Sequence, residues 1–313
     1  MKYIIKKVLT LIITLLIVSL LAFLAFSVIP GDPTTKMLGT EASPEAIAQL
    51  KAELGLDKPV FIRYINWLFG FIKGDFGTSY SYNMPVSQMI VDKLPITAAL
   101  TVMAFALTVV ISIPLGLLAG SIRSKVADTA ATAANQVVMS IPAFFIGIMV
   151  CYVCGNIMKL FVPGMFIHYS ESPMESVKYL AFAALSIAIP RSAMAIKMLK
   201  GSISSELSKN YVLTATARGN SRWMVLIKHV FKNALVPVIS FLAISLAEIM
   251  TGAIIIEQVF TIPGIGRLLL ASISSRDFPV VLAIVIIMAS WIVIINFIAD
   301  VLYQLIDPRI RIK

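Results

Sequence analysis

The sequence predicts an all-α integral membrane protein with six transmembrane helices and both termini on the cytoplasmic side. Three observations predict it. Of 313 residues, 59% are hydrophobic and 13% charged, with a mean hydropathy of +0.93. Soluble domains carry about 25% charged residues, and one of roughly 300 residues still exposes about a quarter of its unfolded surface, so soluble enzymes, secreted binding proteins and disordered tails are excluded. Residues 8–31, 94–122, 129–158 and 278–299 contain no Asp, Glu, Lys or Arg, and each interval is long enough to cross about 30 Å of hydrocarbon as a helix. Finally, basic residues alternate from loop to loop, as the positive-inside rule requires.

The spans are expected near 8–29, 97–120, 131–157, 179–199, 235–256 and 279–303. The first follows Lys2, Lys6 and Lys7, but its apolar run exceeds that of a signal peptide and no A-x-A site follows, so it is read as an uncleaved span. The fourth carries Arg191 and Lys197, and the fifth carries Glu248. Residues 30–95 hold six basic and seven acidic side chains, whereas residues 191–234 hold eight basic ones against Glu206 alone. Topology thus accounts for the net charge of +10 without nucleic acid.

Two loops are too long to be connectors. In the first, on the outer side, Ser43-Pro44 and Gly55 bracket one short helix, with a capping serine, Pro at the first helical position and a glycine stop. Pro59 opens a second, whose Val60, Tyr64, Trp67, Leu68 and Phe71 follow a helical period. That face meets the membrane surface or neighbouring spans, and the whole loop either caps the fold or guides a delivered substrate. In the second, cytoplasmic loop (about 200–234), a helix is expected to about Arg218. A break follows at Gly219-Asn220, and Ser221 caps a second helix running to Ala234. Each helix is short enough to be marginal alone, so something must dock on the pair. Anionic lipid heads or a protein partner fit best, nucleic acid least.

The chain has no G-x-x-x-x-G-K-[ST] phosphate loop, no H-E-x-x-H, no G-x-S-x-G and no dinucleotide fingerprint. No catalytic, cofactor-binding or metal site is expected. Cys151 and Cys154 read as small apolar side chains of a membrane helix, and His168 and His229 fall on opposite sides. Glu248 and Arg191 are the ionisable groups within spans. Glu248 either lines a substrate path or locks packing through Ser245 or Thr251, while Arg191 is expected to snorkel to the cytoplasmic face. Pro114, Pro142 and Pro190 lie inside spans two, three and four, where Pro bends a helix.

The cytoplasmic loop reads Tyr211-Val212-Leu213-Thr214-Ala215-Thr216-Ala217-Arg218-Gly219, then His229, Lys232-Asn233-Ala234-Leu235 and Pro237. It resembles the "EAA" loop of permease subunits of ABC importers for dipeptides, oligopeptides and nickel. Glu257-Gln258-Val259-Phe260-Thr261-Ile262-Pro263-Gly264-Ile265-Gly266-Arg267 and Arg276-Asp277-Phe278-Pro279-Val280 resemble two further signatures. More diffuse matches are Gly31-Asp32-Pro33, Leu54 to Pro59, Gly74-Asp75-Phe76-Gly77-Thr78-Ser79 and Asp307-Pro308-Arg309. The chain departs from the pattern at Thr216, at Asn220 and at Val162-Pro163-Gly164.

The resemblance implies a type I ABC importer permease fold with a cytoplasmic coupling helix. Residues 1–95 would form the first span and outer loop, and 96–313 the permease domain. It implies a second homologous permease subunit, two ABC ATPase subunits that use ATP and Mg, an extracytoplasmic solute-binding protein, and a lipid bilayer. Tyr211, Thr214, Ala215, Ala217, Arg218, Gly219, His229 and Asn233 would couple to the ATPase. Glu248, Glu257, Pro263, Gly264 and Gly266 would serve the translocation path or its packing. Di- and oligopeptides are the expected cargo and nickel or a metal–metallophore complex the runner-up. An ATP-independent secondary transporter is the alternative class, against which stands the lack of internal repeats.

Overall fold

The computed structural model describes residues 2–28, 34, 38, 43–53 and 55–306. The Gly31-Asp32-Pro33 and Asp307-Pro308-Arg309 motifs, Leu54 and the basic C-terminal tail lie outside the described residues. Helices in order are α1 (Lys2–Val28), α2 (Pro44–Glu53), α3 (Val60–Ile72), α4 (Val86–Val91), α5 (Leu94–Ser121), α6 (Lys125–Ser140) and α7 (Ala143–Val150). After π-helical turns at Cys151–Ile157 come α8 (Pro173–Leu207), α9 (Asn210–Ala217) and α10 (Arg222–Val225). A second π-helical segment, Leu226–Val230, leads into α11 (Phe231–Val259), followed by α12 (Ile265–Ser274) and α13 (Phe278–Ile306). Among the described residues there is no sheet, only an isolated bridge between Thr78 and Pro85.

Among the described residues five helices are long and apolar enough to cross a membrane, and six if the bent pair, α6 with α7 and its π-helical extension, counts as one span. The third span expected over 131–157 falls on this pair, and the bend expected at Pro142 is a sharp one. The two halves meet at 91°, because Pro142 disfavours helical geometry at the preceding residue. Ile141 accordingly takes φ −85° and ψ 122°. Pro114, Pro190 and Pro237 lie instead within continuous helices.

The chain divides into two compact units, Met1–Thr97 with Pro263–Ile294, and Ala98–Ile262 with Ile295–Lys313. In the first, the aromatic face of α3 packs on α1. Phe23 lies 5.5 Å from Tyr64 and 5.9 Å from Trp67 between ring centroids, and Tyr64 shares a 2.8 Å hydrogen bond with Ser19. The sequence-predicted face is confirmed for Tyr64, Trp67, Leu68 and Phe71, which join this cluster, while Val60 is exposed. The caps expected around α2 also form. Ser43 Oγ accepts from the Ala46 N–H at 3.2 Å, and Gly55 takes φ +63°.

This unit also joins two motifs nearly 200 residues apart in sequence. Asp277, fully buried, accepts hydrogen bonds from Ser79 Oγ at 2.5 Å and from the backbone N–H groups of Tyr80 and Ser81 at 3.0 and 3.2 Å. A buried carboxylate demands such partners, so Asp277 pins the turn after α3. Three hydrogen bonds to one carboxylate make this turn a fixed part of its unit.

In the second unit, α8 and α11 pack along one another and α6 and α7 lie against α8. Close approach requires small residues. A Cβ on Gly116 would stand 2.7 Å from Leu199 Cδ2, and one on Gly120 2.8 Å from Ile203 Cδ1. Tyr179 on α8 ties the unit's end together: its hydroxyl accepts from Gly164 N–H at 3.0 Å and donates to the Phe260 carbonyl at 2.6 Å.

Candidate functional site: a docking segment and a mid-membrane ion pair

The basic loop forms a short helix carried on two long ones. The expected single helix up to Arg218 is corrected, since α8 ends at Leu207 with Ser208 as its cap and α9 begins at Asn210. The second arm is not short either. From Arg222 to Val259 the chain is continuous helix, α10 passing through π-helical turns into α11. No Gly interrupts 222–251 and Pro237 is tolerated inside the run, so the arm takes its stability from the span. The hairpin break itself forms as expected. Gly219 adopts φ +80°, a left-handed conformation that favours glycine, and Ser221 Oγ accepts from Met224 N–H at 3.4 Å.

Buried Val212 and Ala215 hold α9 against Val225, Leu226, Val230 and Ala234. A polar network braces it from the side. The Tyr211 hydroxyl donates to Glu206 Oε2 at 2.7 Å and accepts from Asn233 Nδ2 at 3.3 Å, while Lys209 Nζ donates to Glu206 Oε1 at 2.6 Å. Partial burial pushes the Tyr211 phenol above its ordinary pKa; the Asn233 hydrogen bond opposes this and the Glu206 carboxylate adds to it. The hydroxyl therefore stays protonated and able to donate. Asn233 Nδ2 also reaches the His229 carbonyl at 3.3 Å. The fold thus brings Tyr211, Ala215 and Asn233 into one brace, whereas Thr214, Ala217, Arg218, Gly219 and His229 face outward.

Sequence reasoning missed the apolar part of this surface. Leu213 (68% exposed), Trp223, Met224 and Ile227 project from the same segment. Aromatic and large apolar side chains standing clear of a core anchor protein interfaces, and the interruption of helical period at 218–221 hides them from a pattern search.

The second site lies within the helices. Arg191 of α8 forms an ion pair with Glu248 of α11. This corrects the expectation that Arg191 snorkels, and of the two readings of Glu248 it removes the bond to Ser245, whose hydroxyl is buried with no hydrogen-bond partner. Antiparallel packing of α8 and α11 sets the two side chains opposite each other, so the nearest counter-charge wins over the distant interface. Further along α8, Lys197 donates to Gln136 at 3.2 Å and Lys200 pairs with Asp128 at 2.5 Å. Here α6 presents its polar face to α8.

Glu257 is fully buried near the end of α11. Gly264 caps α12, its carbonyl accepting from Leu268 N–H at 3.2 Å, and Gly266 is buried in the first turn of that helix. Pro263 precedes them in the turn. Thr97 Oγ1 accepts the Ile265 N–H at 2.9 Å. Cys151 and Cys154 are free thiols, and among the described residues no group of three His, Cys, Asp or Glu is placed to hold a metal ion.

A profile described as "Binding-protein-dependent transport system inner membrane component" matches residues 112–312, and its N-terminal companion matches residues 1–101. The glutathione transport system permease protein GsiC of Salmonella typhi is 32% identical over 313 residues, with 100% of each chain covered. The oligopeptide transport system permease protein AppB of Bacillus subtilis (strain 168) is 32% identical over 312 residues, with 99% of each covered. Among solved structures, the MetNI methionine ABC transporter in inward-facing conformations aligns with a TM-score of 0.58 at 14% identity. That alignment covers 70% of this chain and 97% of the other, and the likeness is one of fold alone.

Proposed function

Because the chain belongs to the family of binding-protein-dependent transport system inner membrane components, in which ATPase activity resides in separate subunits, we propose that it imports di- and oligopeptides. It is a multi-pass membrane permease subunit of an ABC importer. The observation that carries the peptide reading is end-to-end similarity to permeases named for oligopeptide and glutathione transport.

In this reading a second, homologous permease subunit completes the pathway, two ATPase subunits hydrolyse ATP with Mg, and an extracytoplasmic binding protein delivers the peptide. The loop-charge alternation supports an inner-membrane topology with both termini cytoplasmic. Residues 1–95 form the first span and outer loop, and 96–313 the permease domain.

The α9 segment is the coupling helix. Tyr211, Ala215 and Asn233 brace it. Thr214, Ala217, Arg218, Gly219 and His229, together with exposed Leu213 and Trp223, meet the ATPase. A short helix clamped at both ends transmits a push as a rigid body, which a flexible loop does not. Glu248 lines the path, with buried Glu257 and the Pro263-Gly264-Gly266 turn serving its packing.

Uptake into proteoliposomes containing the full complex and its cognate binding protein tests the cargo. Labelled di- and oligopeptides are compared with nickel chelates. Peptide accumulation is expected; accumulation of the nickel chelate alone overturns the peptide reading.

A further inference from the structure

We propose that Arg191 and Glu248 form a recognition point for the two ends of a peptide, Glu248 taking the α-ammonium and Arg191 the α-carboxylate as their own ion pair opens. The inference rests on the peptide reading above and adds to it a site and a specificity.

Three observations carry it. The pair stands near the middle of two long apolar helices, with the Glu248 side chain 53% and the Arg191 side chain 26% exposed on this chain. Charges at that depth are expensive against lipid tails, so they face a water-filled path or a partner. On the same helical faces, the exposed neighbours are Met194 and Met198 on α8, and Ile244, Thr251 and Ile255 on α11. Beside Glu248, Gly252 has nothing within 4 Å of where a Cβ would stand, which leaves space next to the carboxylate.

The resulting surface has one cation, one anion, the Thr251 hydroxyl and otherwise adaptable apolar walls, methionine being the most deformable of the large side chains. That is the chemistry required by a carrier whose cargo varies in side chain but keeps both charged ends. A guanidinium holds a carboxylate through paired N–H donors, and a carboxylate accepts an ammonium. In the empty state each side chain satisfies the other, so neither charge waits unpaired at that depth. When peptide arrives, one ion pair is exchanged for two. The net gain is small, and cargo passes on without being trapped.

The test uses the complete complex with its binding protein at saturation in proteoliposomes. The probe is a tripeptide of neutral side chains with free ends, N-acetylated, or C-amidated. Each variant is ratioed to wild type on the same peptide, which cancels the binding protein's own preference. Glu248→Gln is expected to lower uptake of peptides with a free amine by about tenfold, equivalent to about 1.4 kcal/mol, and to leave the N-acetylated peptide nearly unchanged. Arg191→Gln gives the mirror result, sparing the C-amidated peptide. If either single variant fails to assemble, the double variant Arg191→Gln with Glu248→Gln leaves no unpaired charge and is expected to abolish the preference for free ends. Equal losses on all three peptides, or wild-type preference in the double variant, overturn the proposal while leaving the importer reading intact. Wild-type complex that takes up no peptide sinks both.

Discussion

Replacing Gly219 probes the proposed coupling hairpin at its turn. Its φ of +80° is a conformation that L side chains rarely adopt, and nothing lies within 4 Å of the position a Cβ would occupy. A substitution therefore meets backbone strain and no collision within this chain. Holding a non-glycine residue in such a conformation costs about 1–3 kcal/mol, with a β-branched residue at the upper end. A penalty of about 2 kcal/mol shifts the population of the intact turn by roughly 30-fold. Asn visits the left-handed region more readily than other side chains, so the expected order of damage is Asn, then Ala, then Val. The assay is co-purification of the ATPase subunits and substrate-stimulated ATP turnover in the assembled complex, with thermal unfolding followed in parallel. Turnover should fall well before stability does, because the strained turn lies outside the buried cluster. If an ATPase surface packs tightly on Gly219 instead, damage tracks side-chain volume and Asn becomes worse than Ala. Normal co-purification and turnover in Gly219→Val would refute the reasoning outright.

Three further outcomes are expected. Reporter fusions at Lys51 and Ser208 should lie on opposite sides of the membrane; finding both outside removes the coupling role of α9. Asp277→Ala leaves Ser79 Oγ and two backbone N–H groups without their acceptor, at about 1–3 kcal/mol for each buried group left unsatisfied; a melting temperature unchanged in the purified complex contradicts the pinning role. Tyr211→Phe removes the hydroxyl shared by Glu206 and Asn233, worth about 1 kcal/mol in a typical hydrogen bond; it should loosen ATPase coupling while the permease still assembles, and unchanged substrate-stimulated turnover counts against the brace.

The spans are legible in the sequence because hydrocarbon demands long charge-free runs, and the alternation of loop charge follows from the same solvent. Ser43, Gly55, Gly219 and Ser221 are legible too, since caps and left-handed turns are decided within a few residues. What escaped is non-local or continuous in composition. Pro142 marks a bend in the sequence, but its sharpness of 91° leaves no mark in hydropathy. The short second arm proved to be the start of α11 because nothing in 222–234 stops a helix. The Arg191–Glu248 pair joins positions 57 apart, and the Ser79–Asp277 bond joins positions 198 apart. Each requires knowing which helices or loops are neighbours. Leu213 and Trp223 escaped for a further reason: an exposed apolar residue beside a membrane span is indistinguishable by composition from one facing lipid.

The central claim is that this chain is the membrane path of an ATP-driven peptide importer. It is tested most directly by accumulation of labelled peptide in proteoliposomes holding the complete complex, with ATP and with an ATPase subunit that binds but does not hydrolyse it. Accumulation against a gradient is expected only when hydrolysis and the binding protein are both present. Accumulation that persists without hydrolysis, or that follows an imposed ion gradient, contradicts the account and returns the chain to the class of secondary transporters.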